Sequence, residues 1–145
     1  GAHGHARHSA RSNFLSSIEP VKALYAAFAK GDIPAALGTM APDIVWNEAE
    51  NYPYADLNPH VGPNSVLTGV FARIGADWDG FAAVSDEFIE AGGTIVSLGH
   101  YSGVSKATGK KMRAQFAHVF RVKDGKITGF QQYADTLGTA VALGR

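Results

Sequence analysis

The chain contains no cysteine. Disulfides, thiolate metal centres and cysteine nucleophiles are excluded together, so any catalysis falls to Asp, Glu, His, Tyr, Ser, Thr or Lys. There is no excess charge of either sign: 13 Lys and Arg stand against 13 Asp and Glu. Without a global field or a local basic run to gather polyanions, nucleic acid is not an expected partner. No hydrophobic run approaches the roughly 20 residues that cross a bilayer, and no short apolar stretch with basic flanks stands near the start. The expectations are therefore no membrane partner and a cytoplasmic location. His60, His100 and His118 lack HxH or HxxxH spacing, and no metal site is expected.

What is present suffices for one core. With 145 residues, 46% of them hydrophobic, such a chain buries roughly two-thirds of its unfolded surface. Residues 1–13 carry His3, His5 and His8 among small and polar residues with no hydrophobic period, and read as a disordered tail before a single domain at 14–145. Ile18, Val21, Leu24, Tyr25 and Phe28 share one helical face between a Ser17 cap and Gly31. Asp32 caps a short second helix that carries Ile33, Ala36, Leu37 and Met40 up to Pro42. Residues 44–46 form a short edge strand that places Ile44, Trp46 and Glu48 on one face.

Pro53, Pro59 and Pro63 make residues 49–63 a long loop, and loops of that length are often functional. Asn64 caps a third helix, with Val66, Leu67, Val70, Phe71, Ile74 and Trp78 at helical spacing up to Gly80. Strand-like runs follow at 81–90, 94–105, 111–123 and 126–136, before a short closing helix at 136–143. Helices first and an antiparallel meander afterwards define an α+β domain.

The last hairpin has the sharpest local signal. A two-residue type I′ turn needs positive φ at both central positions, which Asp124 and Gly125 supply. Regular pairing outward from it matches Val122 with Ile127, Phe120 with Gly129, His118 with Gln131, Phe116 with Tyr133 and Ala114 with Asp135. This face is apolar beside the turn and ionisable farther out, the composition of a pocket with a greasy floor and a polar upper wall. His118 and Asp135 would be roughly 13 Å apart on that ladder, too far for a hydrogen-bonded dyad. The opposite face, with Val119 beside Phe130, mixes charge with apolar bulk, and we expect a homodimer through the sheet.

The strings AFAKGDIPAALGTMAPDIVW, GPNSVLTGVFARI, ATGKK and HVFRVKDGKITGFQQYADT, in this order, resemble the NTF2-like superfamily over about residues 18–140. The likeness is to its ketosteroid-isomerase-like and SnoaL-like (polyketide cyclase) members. It implies an NTF2-like cone, in which three N-terminal helices pack in a curved antiparallel sheet around a pocket. It also places the isomerase general base on Glu48 and the second carboxylic acid of that site on His118. The isomerase tyrosine falls on Leu24, one residue before Tyr25, so that donor is expected to be lost. Asp135 resembles the acid/base of the SnoaL-like cyclases.

Taking a proton from carbon next to a carbonyl requires a nearby base and a donor for the developing oxyanion. The candidate catalytic residues are Asp135, His118 and Glu48, and the candidate ligand contacts are Trp46, Tyr101, Phe116, Gln131 and Tyr133. Each also has a structural reading. Asp135 could cap the closing helix, His118 could pair across strands with Gln131, Glu48 could face water, and the aromatics could simply pack. The leading expectation is a cofactor-free isomerase, cyclase or lyase acting on a small hydrophobic carbonyl compound. The alternatives are a noncatalytic module for a hydrophobic ligand and a protein-interaction domain of the NTF2-like type.

Overall fold

Pro20 and Gly31 bracket the first helix. In the computed structural model, which describes residues 17–145, α1 spans Glu19–Lys30 and buries Pro20, Val21, Leu24 and Ala27. The expected tail at 1–13 lies outside the described residues. Ser17 does not cap α1: the N-cap position is Ile18 with no side-chain bond, and the start is set by Pro20, whose fixed φ suits a first turn. Gly31 ends the helix at φ 70°, a left-handed conformation that suits a residue without Cβ. Asp32 then caps α2 (Ile33–Gly38), accepting a hydrogen bond from Ala35 N at 3.2 Å.

Met40 opens a strand instead of closing α2. β1 covers Met40–Asn47, longer than expected and not at the sheet edge, because β2 (His60–Val61) pairs beyond it. The third helical segment, α3, covers residues 63–77 in three stretches: Pro63–Val66, a π-helical turn at Leu67–Phe71, and Ala72–Asp77. Its N-cap is Gly62, not Asn64, because Pro63 occupies the first helical position. It stops before Gly80 because Trp78 is already extended. Four long strands follow: β3 (Trp78–Ala91), β4 (Thr94–Ser105), β5 (Lys111–Lys123) and β6 (Lys126–Ala134), with α4 (Thr136–Ala142) closing the chain.

The sheet order is β2-β1-β6-β5-β4-β3. Every neighbouring pair is antiparallel except β1 and β6, which run parallel. Bulges interrupt the ladders in β3 and in the β5–β6 hairpin, and a bulge bends its strand and increases local twist. The result is the expected α+β cone, a curved sheet closed over α1 and α3. No helix among the described residues is long and apolar enough to cross a membrane.

The hairpin turn forms as expected, with φ 53° at Asp124 and 75° at Gly125. Val122 pairs with Ile127, but one step later the register changes: Arg121 meets Gly129, Phe120 meets Phe130, His118 meets Gln132 and Phe116 meets Ala134. Thr128 is the extra residue. Because side chains alternate with period 2, a one-residue slip reverses the rest of the strand. Phe130 and Gln132 therefore face inward and are buried, whereas Tyr133 is 58% exposed and Gln131 and Asp135 leave the inner face. The sequence-based pairings of His118 with Gln131, Phe116 with Tyr133, Ala114 with Asp135 and Val119 with Phe130 are all corrected by this bulge.

Two glycines test the packing in opposite senses. A Cβ at Gly99 would run into the Val84 carbonyl and the Phe116 ring, whereas one at Gly75, on an exposed stretch of α3, meets nothing within 4 Å. Urea denaturation should show Gly99→Ala losing about 2–3 kcal/mol. The same measurement on Gly75→Ala should show a gain of about 0.5–1 kcal/mol.

Candidate functional site

Glu48 stands one residue past β1, on the same face as Trp46, and is 3% exposed. The Asn58 side chain fixes its backbone from both sides, accepting from Glu48 N at 3.0 Å and donating to Glu48 O at 2.9 Å. Its Oε2 accepts a hydrogen bond from Trp46 Nε1 at 3.1 Å. Among the described residues no Lys or Arg forms an ion pair with it. A carboxylate removed from water without a counter-charge is disfavoured. Burial accordingly pushes the Glu48 pKa up to about 8, against a weaker opposing effect of the Trp46 bond.

His118 lies on the inner face of β5, 4% exposed, and stacks on Phe116 at 3.8 Å between ring centroids. Burial lowers its pKa to about 3, so the imidazole is neutral at physiological pH. Each ring nitrogen meets a phenol: Tyr25 Oη lies 2.6 Å from Nδ1 and Tyr101 Oη 2.5 Å from Nε2. Gln132 Nε2 donates to Tyr101 Oη at 2.9 Å, while Gln132 Oε1 accepts from Ala49 N at 3.0 Å. One hydrogen-bonded chain thus runs from α1 through β5, β4 and β6 to the segment beside Glu48. Burial raises the pKa of Tyr25 and Tyr101, which remain phenols.

These groups face a common cavity. Leu24 and Phe28 from α1, Val70, Phe71 and Ile74 from α3, and Phe81 from β3 supply its apolar wall, together with Trp46 stacked on Phe130 at 3.7 Å. The space between the wall atoms is narrow, with about 50 Å3 wide enough for the centre of a water molecule. The cavity is a narrow slot. The π-helical turn contributes to its shape, since Val70 and Phe71 are adjacent in sequence and both line it. Gly69, in the same turn, leaves room for the buried His60 ring, where a Cβ would lie 2.5 Å from Nδ1. His60 and His100 are each bonded away from the slot. His60 Nε2 donates to the Tyr54 carbonyl at 2.9 Å, and His100 Nδ1 lies 3.0 Å from Asp86 Oδ2.

Of the expected site residues, the fold gathers Glu48, His118, Trp46 and Tyr101 around the slot. Phe116 is buried behind His118. The Thr128 bulge turns Gln131, Tyr133 and Asp135 away. Gln131 bonds to the Gln132 carbonyl, and Asp135 caps α4 by accepting from Gly138 N at 2.9 Å. Tyr133 and Asp135 line a shallow groove on the sheet's outer face.

Sequence reasoning missed Tyr25, Tyr52, Phe130 and Gln132 as cavity residues. Tyr25, one residue past the Leu24 position that the resemblance matches to the isomerase tyrosine, brings a phenol to the slot. It follows Val21 by one helical turn, and that period was its signal. Gly129, a glycine inside a strand, was the signal for the bulge and hence for Phe130 and Gln132. Tyr52 belongs to the loop, where no period points inward. Its hydroxyl lies toward Gln132 and Thr139 but makes no hydrogen bond with any described residue, although it is buried.

The two shifted groups predict the pH dependence of stability. Glu48 rises from 4.5 to about 8, so the folded state holds a proton that the unfolded chain has lost, and stability falls as pH rises across that window. His118 drops from 6.5 to about 3, so stability falls as pH decreases across that window. Between pH 4.5 and 6.5 the two slopes oppose one another. Denaturation measured from pH 3 to 9 should show a plateau there, flanked on each side by declines of about 1.4 kcal/mol per pH unit. Glu48→Gln should abolish the alkaline decline and replace the plateau with an acid-side decline that begins near pH 6.5.

Comparison with known proteins places this geometry in a family. The SnoaL-like domain model matches residues 21–130, about three-quarters of the chain. An NTF2-like protein from Burkholderia thailandensis is 36% identical, superposes with a TM-score of 0.83, and is matched over 88% of this chain and 96% of its own. TerC, crystallised with polyporic acid, is 26% identical with a TM-score of 0.80, over 90% of this chain and 99% of its own. Patulin synthesis protein F of Aspergillus clavatus is 30% identical over 93 residues, which are 63% of this chain. This chain spans about half of that relative's length (46%). By its sequence and its fold, the chain belongs to the SnoaL-like domain family of the NTF2-like superfamily.

Proposed function

We propose that the chain is a cofactor-free acid–base enzyme of the isomerase, cyclase or lyase type, acting on a small, flat, hydrophobic carbonyl compound. The observation that carries this reading is the Glu48 carboxyl, buried in an aromatic slot with one hydrogen bond and no counter-ion. A carboxyl with a pKa of about 8 is mostly protonated at neutral pH. It gives its proton to the ligand and, once ionised, takes one from carbon next to a carbonyl with a driving force matched to the task.

The oxygen that gains charge is met by neutral donors. Among the described residues no Lys or Arg lines the slot, while Tyr52, whose hydroxyl has no partner among them, supplies an O–H there. Such preorganised donors in a dry site stabilise an enolate without a metal ion. Both nitrogens of His118 are occupied by phenols, so the donor role expected of it passes to the hydroxyls on either side. Asp135, on the outer face, has no part in this scheme. The relatives support a small-molecule role: TerC was crystallised with polyporic acid, and patulin synthesis protein F is named for a synthesis.

The test begins with denaturing extraction of the purified protein and mass-spectrometric identification of any compound released, with polyporic acid as a second probe. Saturable quenching of Trp46 fluorescence reports binding. Turnover is followed as loss of the acidic C–H signal in deuterated buffer, and Glu48→Gln should slow it about 10²–10⁴-fold while retaining binding. Equal turnover in wild type and variant would remove Glu48 from the chemistry. Binding without turnover in either would favour a noncatalytic ligand module.

The homodimer is part of the same proposal. Val84, Ile89, Val96, Leu98 and Val119 put apolar surface on the outer face of β3, β4 and β5, and none is fully buried in the single chain. Light scattering should give twice the chain mass for wild type and the monomer mass for Leu98→Asp with Val119→Asp. A wild-type monomer would overturn it.

A further inference from the structure

The His118 ring is held at both nitrogens by the same kind of group. Tyr25 Oη meets Nδ1 and Tyr101 Oη meets Nε2. A neutral imidazole has one N–H and one lone pair, so the two phenols cannot play the same part. One donates to the ring and has no proton left to offer. The other accepts from the ring and keeps its own O–H free.

Two arrangements satisfy these bonds. With the proton on Nδ1, the ring donates to Tyr25, Tyr101 donates to Nε2, and the Tyr25 O–H is free. With the proton on Nε2, the ring donates to Tyr101, which also accepts from Gln132; Tyr25 donates to Nδ1, and the Tyr101 O–H is free. Both tyrosines and His118 line the slot. The charged imidazolium, which would free both hydroxyls at once, is suppressed by burial.

We propose that His118 is a neutral tautomeric relay that carries a proton between Tyr25 and Tyr101, and through them between two oxygen atoms of one ligand in the slot. The ligand class this fits is a conjugated hydroxy-carbonyl compound. Its hydroxyl O–H breaks and the proton joins Tyr101 Oη, while the original Tyr101 proton passes to Nε2. The Nδ1 proton passes to Tyr25 Oη, and the original Tyr25 proton forms a new O–H bond at the ligand carbonyl. The ligand's π electrons shift by one conjugated unit, so hydroxyl and carbonyl exchange places. Nothing is oxidised or reduced, and no group on the relay ends charged. The ligand part of this scheme rests on the proposed function, but the relay itself does not.

The free protein has a preferred arrangement. The Ser97 hydroxyl stands beside Tyr25 and gives its own proton to Ser85 Oγ at 2.7 Å, so its lone pairs are open to the Tyr25 O–H. Tyr101 is 5% exposed, and among the described residues its hydrogen bonds are those to His118 and Gln132. Since Gln132 reaches it as an N–H donor, His118 is the acceptor for its proton. The resting proton therefore belongs on Nδ1.

The experiment labels the full chain with 15N-histidine and reads the protonation of each His118 nitrogen by long-range 1H–15N correlation. The ring is assigned through its contacts with Phe116. Wild type and Tyr101→Phe should both show N–H on Nδ1. Tyr25→Phe removes the partner of Nδ1 and should move the N–H to Nε2, exchanging the two nitrogen shifts. Nε2–H in wild type, an unmoved proton in Tyr25→Phe, or two protonated nitrogens at pH 6 would each overturn the relay. These phenylalanine variants keep the rings that pack the core, and cooperative thermal unfolding verifies that they fold. Because no ligand is used, failure of ligand binding or turnover would count against the proposed function and leave this result intact.

Discussion

One unpaired residue in β6 decides what the cavity contains. Thr128 has no partner on β5, and its hydroxyl closes the irregularity by donating to the Arg121 carbonyl at 3.2 Å. The next residue is Gly129, where a Cβ would stand 3.2 Å from Arg121 Cγ, a tight contact to which that exposed side chain would have to yield. Beyond this point every β6 side chain takes the face opposite to that of a regular ladder. Phe130 then reaches Trp46, and Gln132 reaches both Tyr101 and Ala49. Without the extra residue, Gln131 and Tyr133 would enter the slot instead. The chain of hydrogen bonds that ties the Glu48 segment to the sheet would have no central member.

What the bulge admits is polar but uncharged. Glu48, His118, Tyr25, Tyr52 and Tyr101 are all ionisable, and burial drives each of them toward its neutral form at physiological pH. Neutral groups in a low-dielectric site have to be hydrogen-bonded, because an unpaired one forfeits about 1–3 kcal/mol. The fold meets that demand at Trp46, His118, Gln132 and Ala49 and leaves it unmet at the Tyr52 hydroxyl. An orphaned hydroxyl beside an acid with one partner is strain of a kind that folding alone does not require.

The fold was largely legible because its signals are local. Asp124-Gly125 fixes a turn, Gly31 and Asp32 mark a helix end and the next start, and alternation along 111–123 gives a strand with one buried face. The site was legible only where a residue's orientation follows from its own element, as for Trp46, Glu48 and His118. It failed where orientation depends on a partner strand: Asp135 and Tyr133 shift outward because of an irregularity 5–7 residues away. It also failed in the loop, because Tyr52 turns inward against the Tyr54 and Tyr101 rings and Tyr54 through long-range bonds. Tyr54 Oη donates to Asp77 Oδ2 at 2.9 Å, and its ring lies under Arg73.

Width and neutrality together restrict how a ligand can be recognised. A narrow slot walled by packed aromatic rings favours flat molecules, because a puckered ring would have to part Phe71 from Trp46 or from Phe28. With no fixed cation among the described lining residues, binding strength comes from area in contact and from hydrogen bonds to neutral donors, both of which depend on fit. Conjugation makes a molecule flat, and it also lets a proton gained at one oxygen be felt at another. The geometry that admits a flat ligand is therefore the geometry in which neutral proton transfer at two separated points can alter it.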